Sequence, residues 1–319
     1  MQDTQARLPQ PLVSFIITTY NLPVSMLNEC IESIRTLSLS TQERQIILVD
    51  DGSETSPIDA LTQRDDIVYL RQSNQGLSAA RNLGLQCATG AYVQFIDGDD
   101  YLIAPPYEHC LDLVRYEHPD MVLFLLTDNP QPATPFRECQ PLGGNEYMRQ
   151  YNIRASACGY IFSRKALGSL RFATGLLHED EDFTPQLMLR CERLFDTGAE
   201  AYYYRQRESS ITHTTDNQGL QKRLADTERI IMHLHNLAQE SPESDRTALN
   251  RRVAQLSMDY LYNTIVLTHS HKQLMRAIQT LRAQGLFPLP DKKYTRKYTA
   301  FRKLIGNAAG RWMLLMGLR

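Results

Sequence analysis

Five short apolar runs alternate with helix-like segments over the first 126 residues, and this alternation is what most limits the folds open to the chain. The runs are LVSFIIT (12–18), QIILVD (45–50), IVYL (67–70), AYVQFID (91–97) and MVLFLL (121–126). All are short and rich in β-branched or aromatic residues, the composition of strands buried on both faces. Between the first two, Leu27, Ile31, Ile34 and Leu37 recur at helical spacing, and LSAARNLGLQCA and PPYEHCLDLVRYE fill later gaps in the same way. Strands alternating with helices imply βαβ units and an α/β fold, a mostly parallel sheet flanked by helices on both faces. Ligands in such sheets bind beyond the carboxyl ends of the strands. That is where the polar clusters TTYN (18–21), DDGS (50–53) and DGDD (97–100) fall.

Downstream the pattern changes. TDNPQPATPFRECQPLGGN (127–145) reads as a connecting loop. A strand is expected around CGYIFSR, a helix opening at the acidic HEDEDF (178–183), and another strand over AEAYYYRQR (199–207); from about residue 217 onward the pattern is helical. A length of 319 residues with 42% apolar content suffices for one large core plus an appendage. The net charge of −2 gives no global electrostatic reason for a nucleic-acid partner. Six cysteines without a C-x-x-C pair signal neither a zinc cluster nor a dithiol site; they read as small core residues in a reducing compartment. The N-terminal stretch lacks a signal-peptide pattern and the apolar runs are too short for a bilayer, so the expectation is a cytoplasmic protein that at most touches a membrane.

The three carboxylates of DGDD ask for a chemical reason. Read as an extended strand end, Asp97 and Asp99 point to one side about 7 Å apart, and Gly98 lets a ligand approach the backbone. Two carboxylates suit Mg²⁺ or Mn²⁺, which complete their shells with substrate phosphate oxygens. The alternative is a solvated loop with capping aspartates. DDGS and TTYN carry the same ambiguity: each offers nucleotide contacts, and each is ordinary turn chemistry. Three such clusters after successive strands favour a nucleotide pocket.

SFIITTYN, IILVDDGS, NQGLSAARNLGL and VQFIDGDDYLIAP, in that order and spacing, resemble the diagnostic segments of family 2 glycosyltransferases with the GT-A fold, over roughly residues 12–215. The resemblance implies a Rossmann-like domain over 1–216, with a nucleotide-sugar half (12–126) and an acceptor half (127–216), followed by a helical region (217–319). It also implies transfer from a nucleotide-sugar, most simply UDP-linked, to a hydroxyl of a glycan or lipid-linked glycan, with inversion and a divalent metal. By position, Thr18, Tyr20 and Asp51 match nucleotide contacts, Arg81 a basic residue near the nucleotide or else a structural arginine pairing with the surrounding loops, and Asp97, Gly98 and Asp99 the Asp-x-Asp segment. There Asp97 faces the nucleotide-sugar and Asp99 the metal, with Asp97 and His213 as further metal candidates. Asp180 of Glu179-Asp180 matches the general base, which an acceptor hydroxyl needs because it is a poor nucleophile until its proton is removed. Like-charge repulsion from Glu179, Glu181 and Asp182 is expected to raise its pKa. Arg205 and Arg207 read either as a phosphate clamp or as a solvated strand face, and His178 either lines the acceptor pocket or precedes the helix.

The final 29 residues mix cations with aromatics, from Lys292 and Lys293 to Trp312. They read as an interfacial amphipathic helix drawn to anionic lipid, or as a helix packed on the rest of the chain with a basic outer face. Two other readings of the whole compete. An aspartate-nucleophile phosphatase would use Asp97 and Asp99 but leave TTYN and SAARN unexplained; a non-catalytic sugar-nucleotide-binding scaffold has no need for Asp97, Asp99 and Asp180 together. A dinucleotide oxidoreductase is disfavoured because no G-x-G-x-x-G follows the first strand.

Overall fold

The computed structural model describes residues 10–58, 65–131, 139–206 and 217–318. The chain divides into two compact units, one formed by residues 1–144 and 154–208 and the other by 145–153 and 209–319.

The first unit is built on a sheet of eight strands: β1 (Val13–Thr19), β2 (Arg44–Asp50), β3 (Ile67–Arg71), β4 (Tyr92–Asp97), β5 (Tyr101–Leu102), β6 (Met121–Thr127), β7 (Tyr160–Ser163) and β8 (Leu194–Tyr203). Their order across the sheet is β3-β2-β1-β4-β7-β6-β8-β5. The pairs β2–β3, β1–β2, β1–β4 and β6–β8 are parallel, while β7 runs antiparallel between β4 and β6, and β5 pairs antiparallel with β8. Phe15, Ile16, Ile17, Ile46, Ile47, Leu48, Val49, Val93, Phe95 and Ile96 are buried in unbroken runs. Such runs are expected where helices cover both faces of a sheet.

Helix α1 (Val24–Arg35) buries Leu27, Cys30, Ile31 and Ile34, one stripe of its surface. Helix α2 (Leu77–Cys87) follows Gly76 and buries Ala80, Arg81, Gly84 and Leu85. Gly84 brings α2 close to the sheet, since a Cβ there would lie 2.3 Å from Ile16 Cγ2. Helix α3 (Ala104–Glu117) covers the neighbouring strands with Tyr107, Leu111 and Val114. After α4 (Gly144–Gln150) and the short α5 (Arg164–Leu167) comes α6 (Asp180–Met188), with Asp180, Glu181 and Asp182 in its first turn. Acids there complement the positive end of the helix dipole. All six cysteines are free and four are buried, as small core residues are.

The second unit is helical among its described residues. Helices α7 (Asn217–Glu240) and α8 (Glu243–Thr268) pack on each other, and α9 (His271–Ala283), α10 (Arg296–Ile305) and α11 (Ala308–Gly317) complete it. Ala248, Leu249, Val253, Leu261 and Ile265 of α8 form its centre. Residues 145–153 join this unit through Asn145, which donates to Asp245 at 2.7 Å, and Asn152, which accepts from Arg251 at 3.0 Å. No described helix is long and apolar enough to cross a membrane.

Candidate active site

Strand β1 lies between β2 and β4 with Thr18 opposite both Val49 and Asp97, and Thr19 opposite Asp50. The polar clusters that follow these three strands therefore meet at one end of the sheet. Asn21, at φ +49°, donates its N–H to Ser53 Oγ (2.9 Å) and accepts from Glu54 N (2.8 Å). Buried Asp50 accepts from Ser53 N and from the Tyr69 hydroxyl, each at 2.8 Å. Asp51 accepts from Gln72 Nε2 (2.7 Å), Gln75 N (2.9 Å) and Gly76 N (2.8 Å), which ties the 72–76 loop and the start of α2 to the end of β2. Gly52 sits at φ +82°, and a Cβ there would lie 2.6 Å from Asn74 N. Tyr20, by contrast, is 47% exposed and presents its ring to solvent.

Residues 97–100 are not the extended strand end that the alternation of Asp97 and Asp99 led us to expect. Strand β4 stops at Asp97, and Asp100 N donates to Asp97 O at 2.9 Å, which closes a tight turn. Gly98 is required there by the protein itself: a Cβ would stand 2.9 Å from Thr18 O, and Gly98 N already donates to that oxygen at 2.9 Å. Asp97 turns Oδ1 toward Arg81 Nη2 (3.1 Å) and the Thr18 hydroxyl (3.4 Å), and its side chain is 35% exposed.

The turn is held from β8. The Tyr202 hydroxyl accepts from Asp97 N at 3.1 Å and donates to Asp100 Oδ2 at 2.8 Å, while Asp100 Oδ1 accepts from Arg205 N at 2.8 Å. Burial, then the charge of Asp97, pushes the Asp100 carboxyl up to about 8, although the bonds from Arg205 and Tyr202 work against the shift. The Arg205 guanidinium donates to Asp99 O (2.8 Å) and Glu29 (2.5 Å) and lies against the stacked rings of Tyr101 and Tyr203.

Arg81 joins the Asp97 turn to the start of α6. It is buried, and it donates to Glu179 at 2.7 Å as well as to Asp97, and it lies against the edge-to-face pair of rings Phe95 and Phe172. Burial opposes its charge, but Asp97 and Glu179 more than offset that and hold its pKa above the ordinary value. Half-buried Asp180 adjoins this cluster and has its carboxyl raised to about 7. The first cause is burial, followed by the charge of Glu179, with Arg81 pulling the other way and Asp97 adding to the rise. Like-charge repulsion thus comes second to burial, from Glu179 and then from Asp97. His178 precedes this pair in a left-handed conformation, at φ +59°.

Asp100 and Tyr202 were not read from the sequence as parts of the site, and Glu179 entered only as the neighbour of Asp180, not as the partner of Arg81. One signal was available for Glu179: an arginine at position 81 falls on the buried face of α2 among small and apolar residues, and a buried guanidinium demands acidic partners. His213 and Arg207 lie outside the described residues. No group of three or more His, Cys, Asp and Glu that would enclose a metal occurs among the described residues. The Asp97 and Asp99 carboxylates nevertheless suit a hard divalent cation, because Mg²⁺ and Mn²⁺ bind through one or two carboxylates together with substrate phosphates.

A sheet of this order, with carboxylates on the turn after its fourth strand and a second acidic pair at the start of α6, defines a GT-A α/β domain. The crystal structure of Staphylococcus aureus TarS residues 1–349 in complex with UDP-GlcNAc superposes with a TM-score of 0.71 at 18% identity, covering 96% of this chain and 89% of that one. The mannosyltransferase PcManGT from Pyrobaculum calidifontis in complex with GDP-Man and Mn²⁺ gives a TM-score of 0.58 at 15% identity, covering 97% and 88%. Residues 14–167 match the model of glycosyl transferase family 2. Two Bacillus subtilis strain 168 proteins are each 29% identical. The uncharacterized glycosyltransferase EpsJ matches over 63% of this chain and 63% of its own length, and the minor teichoic acid biosynthesis protein GgaB over 61% and 23%. The matches thus span less than two thirds of either relative.

Proposed function

We propose that this protein is an inverting, metal-dependent glycosyltransferase that moves a sugar from a UDP-linked donor to a hydroxyl of a glycan or lipid-linked glycan in surface polysaccharide synthesis. It would work in the cytoplasm as a peripheral protein at the inner face of the membrane. The observation that carries this reading is the bridge made by buried Arg81, which ties the partly exposed Asp97 of the donor end to Glu179 of the Glu179-Asp180 pair. A carboxyl raised to about 7 is matched to taking a proton near neutral pH. The relatives in glycan synthesis and the UDP-GlcNAc carried by the structural neighbour favour this substrate class.

In this scheme Thr18, Tyr20 and Asp51 frame the nucleotide, Tyr20 through its exposed ring and Asp51 through the loop it orders. Asp97 and Asp99 would hold Mn²⁺ or Mg²⁺, with His213 as a further candidate. When bound, the metal would offset the charge that builds on the departing diphosphate. Asp180 removes the acceptor proton as that oxygen bonds to the anomeric carbon, and the bond from that carbon to the diphosphate breaks on the opposite face, inverting the centre.

The test is thermal unfolding with UDP and a panel of UDP-sugars, with and without Mn²⁺. Metal-dependent stabilisation of about 2.7 kcal/mol at a hundredfold excess over Kd is expected, and Asp99→Ala should abolish it. A folded protein that shifts with no nucleotide would overturn the reading and favour a scaffold or phosphatase.

A further inference from the structure

We propose that α10 and α11 form a docking surface for a bilayer containing anionic lipid, with the side chains of Trp312, Met313 and Met316 entering the interface. This deepens the reading of a peripheral glycosyltransferase, but it rests on residues of the helical unit that take no part in the candidate active site.

The inward side of these helices is satisfied. Tyr298, Phe301 and Ile305 of α10 and Gly310, Leu314 and Leu315 of α11 are buried. Gly310 lets the two helices meet closely, since a Cβ there would strike Leu304 O. Helix α11 nevertheless has a second apolar face. Trp312, Met313 and Met316 are 58%, 65% and 63% exposed, on the arc opposite Leu314 and Leu315. Trp312 stacks one face of its ring on His271, which fixes its direction while leaving most of its surface in solvent. A helix apolar on both sides belongs in a core or at an apolar phase, and three large exposed side chains on one short helix mark an interaction site.

Charge selects the occupant. Residues 291–319 contain eight of the chain's 34 lysines and arginines and a single acid, Asp291, in a protein whose net charge is −2. Asp291 is paired with Arg302. Lys292, Lys293, Arg296, Lys297 and Lys303 are exposed, and Lys293, Arg296 and Lys303 edge an open depression of about 570 Å³ together with Thr295 and Thr299. Apolar side chains beside a cluster of cations are complementary to an anionic bilayer, whose headgroups draw the cations while its acyl boundary takes the apolar groups.

Trp312 is the only tryptophan, so its emission reports on this surface alone. The full chain is mixed with vesicles of phosphatidylcholine, or of phosphatidylcholine and phosphatidylglycerol in equal parts, and binding is followed by flotation and by Trp312 fluorescence. Flotation with the anionic vesicles only, a blue shift, and quenching by brominated acyl chains are expected. The pair Met313→Ser/Met316→Ser and the triple Lys293→Glu/Arg296→Glu/Lys303→Glu should each weaken binding about tenfold or more, with unfolding temperatures held as controls. Unchanged emission from wild-type protein on anionic vesicles would overturn the proposal, whatever the variants do. So would equal binding to neutral vesicles, or a dimer that the Met313→Ser/Met316→Ser pair dissolves, since either assigns the face another occupant. No nucleotide is needed, so vesicle binding without any response to UDP would refute the proposed activity and leave this surface in place.

Discussion

Arg81 and Glu179 are 98 positions apart in the chain and meet at 2.7 Å in a buried ion pair. The same guanidinium reaches Asp97, so one cation holds the segments that the proposed chemistry needs on either side of the reacting bond.

Replacing Arg81 tests that arrangement. Arg81→Met leaves Asp97 and Glu179 facing each other without their cation, and loss of one partner from a buried pair typically costs about 3–5 kcal/mol. Urea unfolding should show a loss of this size, and a loss near zero would mean that the carboxylates find solvent without it.

Asp180 sets the expected pH dependence. With its carboxyl raised to about 7, it is protonated and inactive as a base below that value and gains competence as pH rises. The rate should therefore fall about tenfold per unit below pH ~7 and level above it. Asp180→Asn should lower turnover by roughly 10²–10⁴-fold while UDP stabilisation is kept. An acid limb near pH 4 would show that Asp180 is not the titrating base.

Asp100 makes a prediction about stability instead. Its carboxyl has a higher pKa in the folded chain, about 8, than in the unfolded one. The contribution that follows is complete below pH ~4 and is lost as pH rises through about 8, because the folded state is then the one forced to give up a proton it prefers to keep. Asparagine has no such dependence. Followed by thermal unfolding without metal, the stability of Asp100→Asn relative to wild type should improve across this window; a constant difference would show Asp100 ionised throughout.

Gly98→Ala should be damaging although it adds a single methyl. The new Cβ would stand 2.9 Å from Thr18 O, closer than real contacts allow, so β1 and the turn must separate. A loss of about 1–3 kcal/mol is expected, together with weaker metal-dependent UDP stabilisation. Wild-type behaviour would show that the turn has slack.

What could be read from the sequence follows from range. The strands at the ends of TTYN, DDGS and DGDD and the stripe Leu27, Ile31 and Ile34 were legible because strand and helix periodicities are local. The mostly parallel α/β architecture followed from their alternation. The antiparallel insertion of β7 between β4 and β6 was not legible, nor was the bond from Tyr202 to the Asp97 turn, because pairing across a hundred residues leaves no local signature. Local turn chemistry also misled: Asp97 and Asp99 alternate like strand residues, but the bond from Asp100 N to Asp97 O curls the backbone at that point. Strand β8 begins at Leu194, earlier than the aromatic run suggested, because Leu194 and Phe195 pair with Met121 and Val122 of β6.

The place of β7 in the sheet has a consequence for how the protein is made. Strands β1 to β4 can pair as they leave the ribosome, but β4, which carries Asp97, borders β7, and β7 follows β6 in the chain. Until Tyr160–Ser163 has been synthesised, β4 presents an unpaired edge that can recruit a strand from another nascent chain. Vectorial synthesis thus exposes the strand that bears the site's carboxylates for longer than its inner neighbours, and a ribosome stall between β6 and β7 would leave an intermediate prone to aggregate.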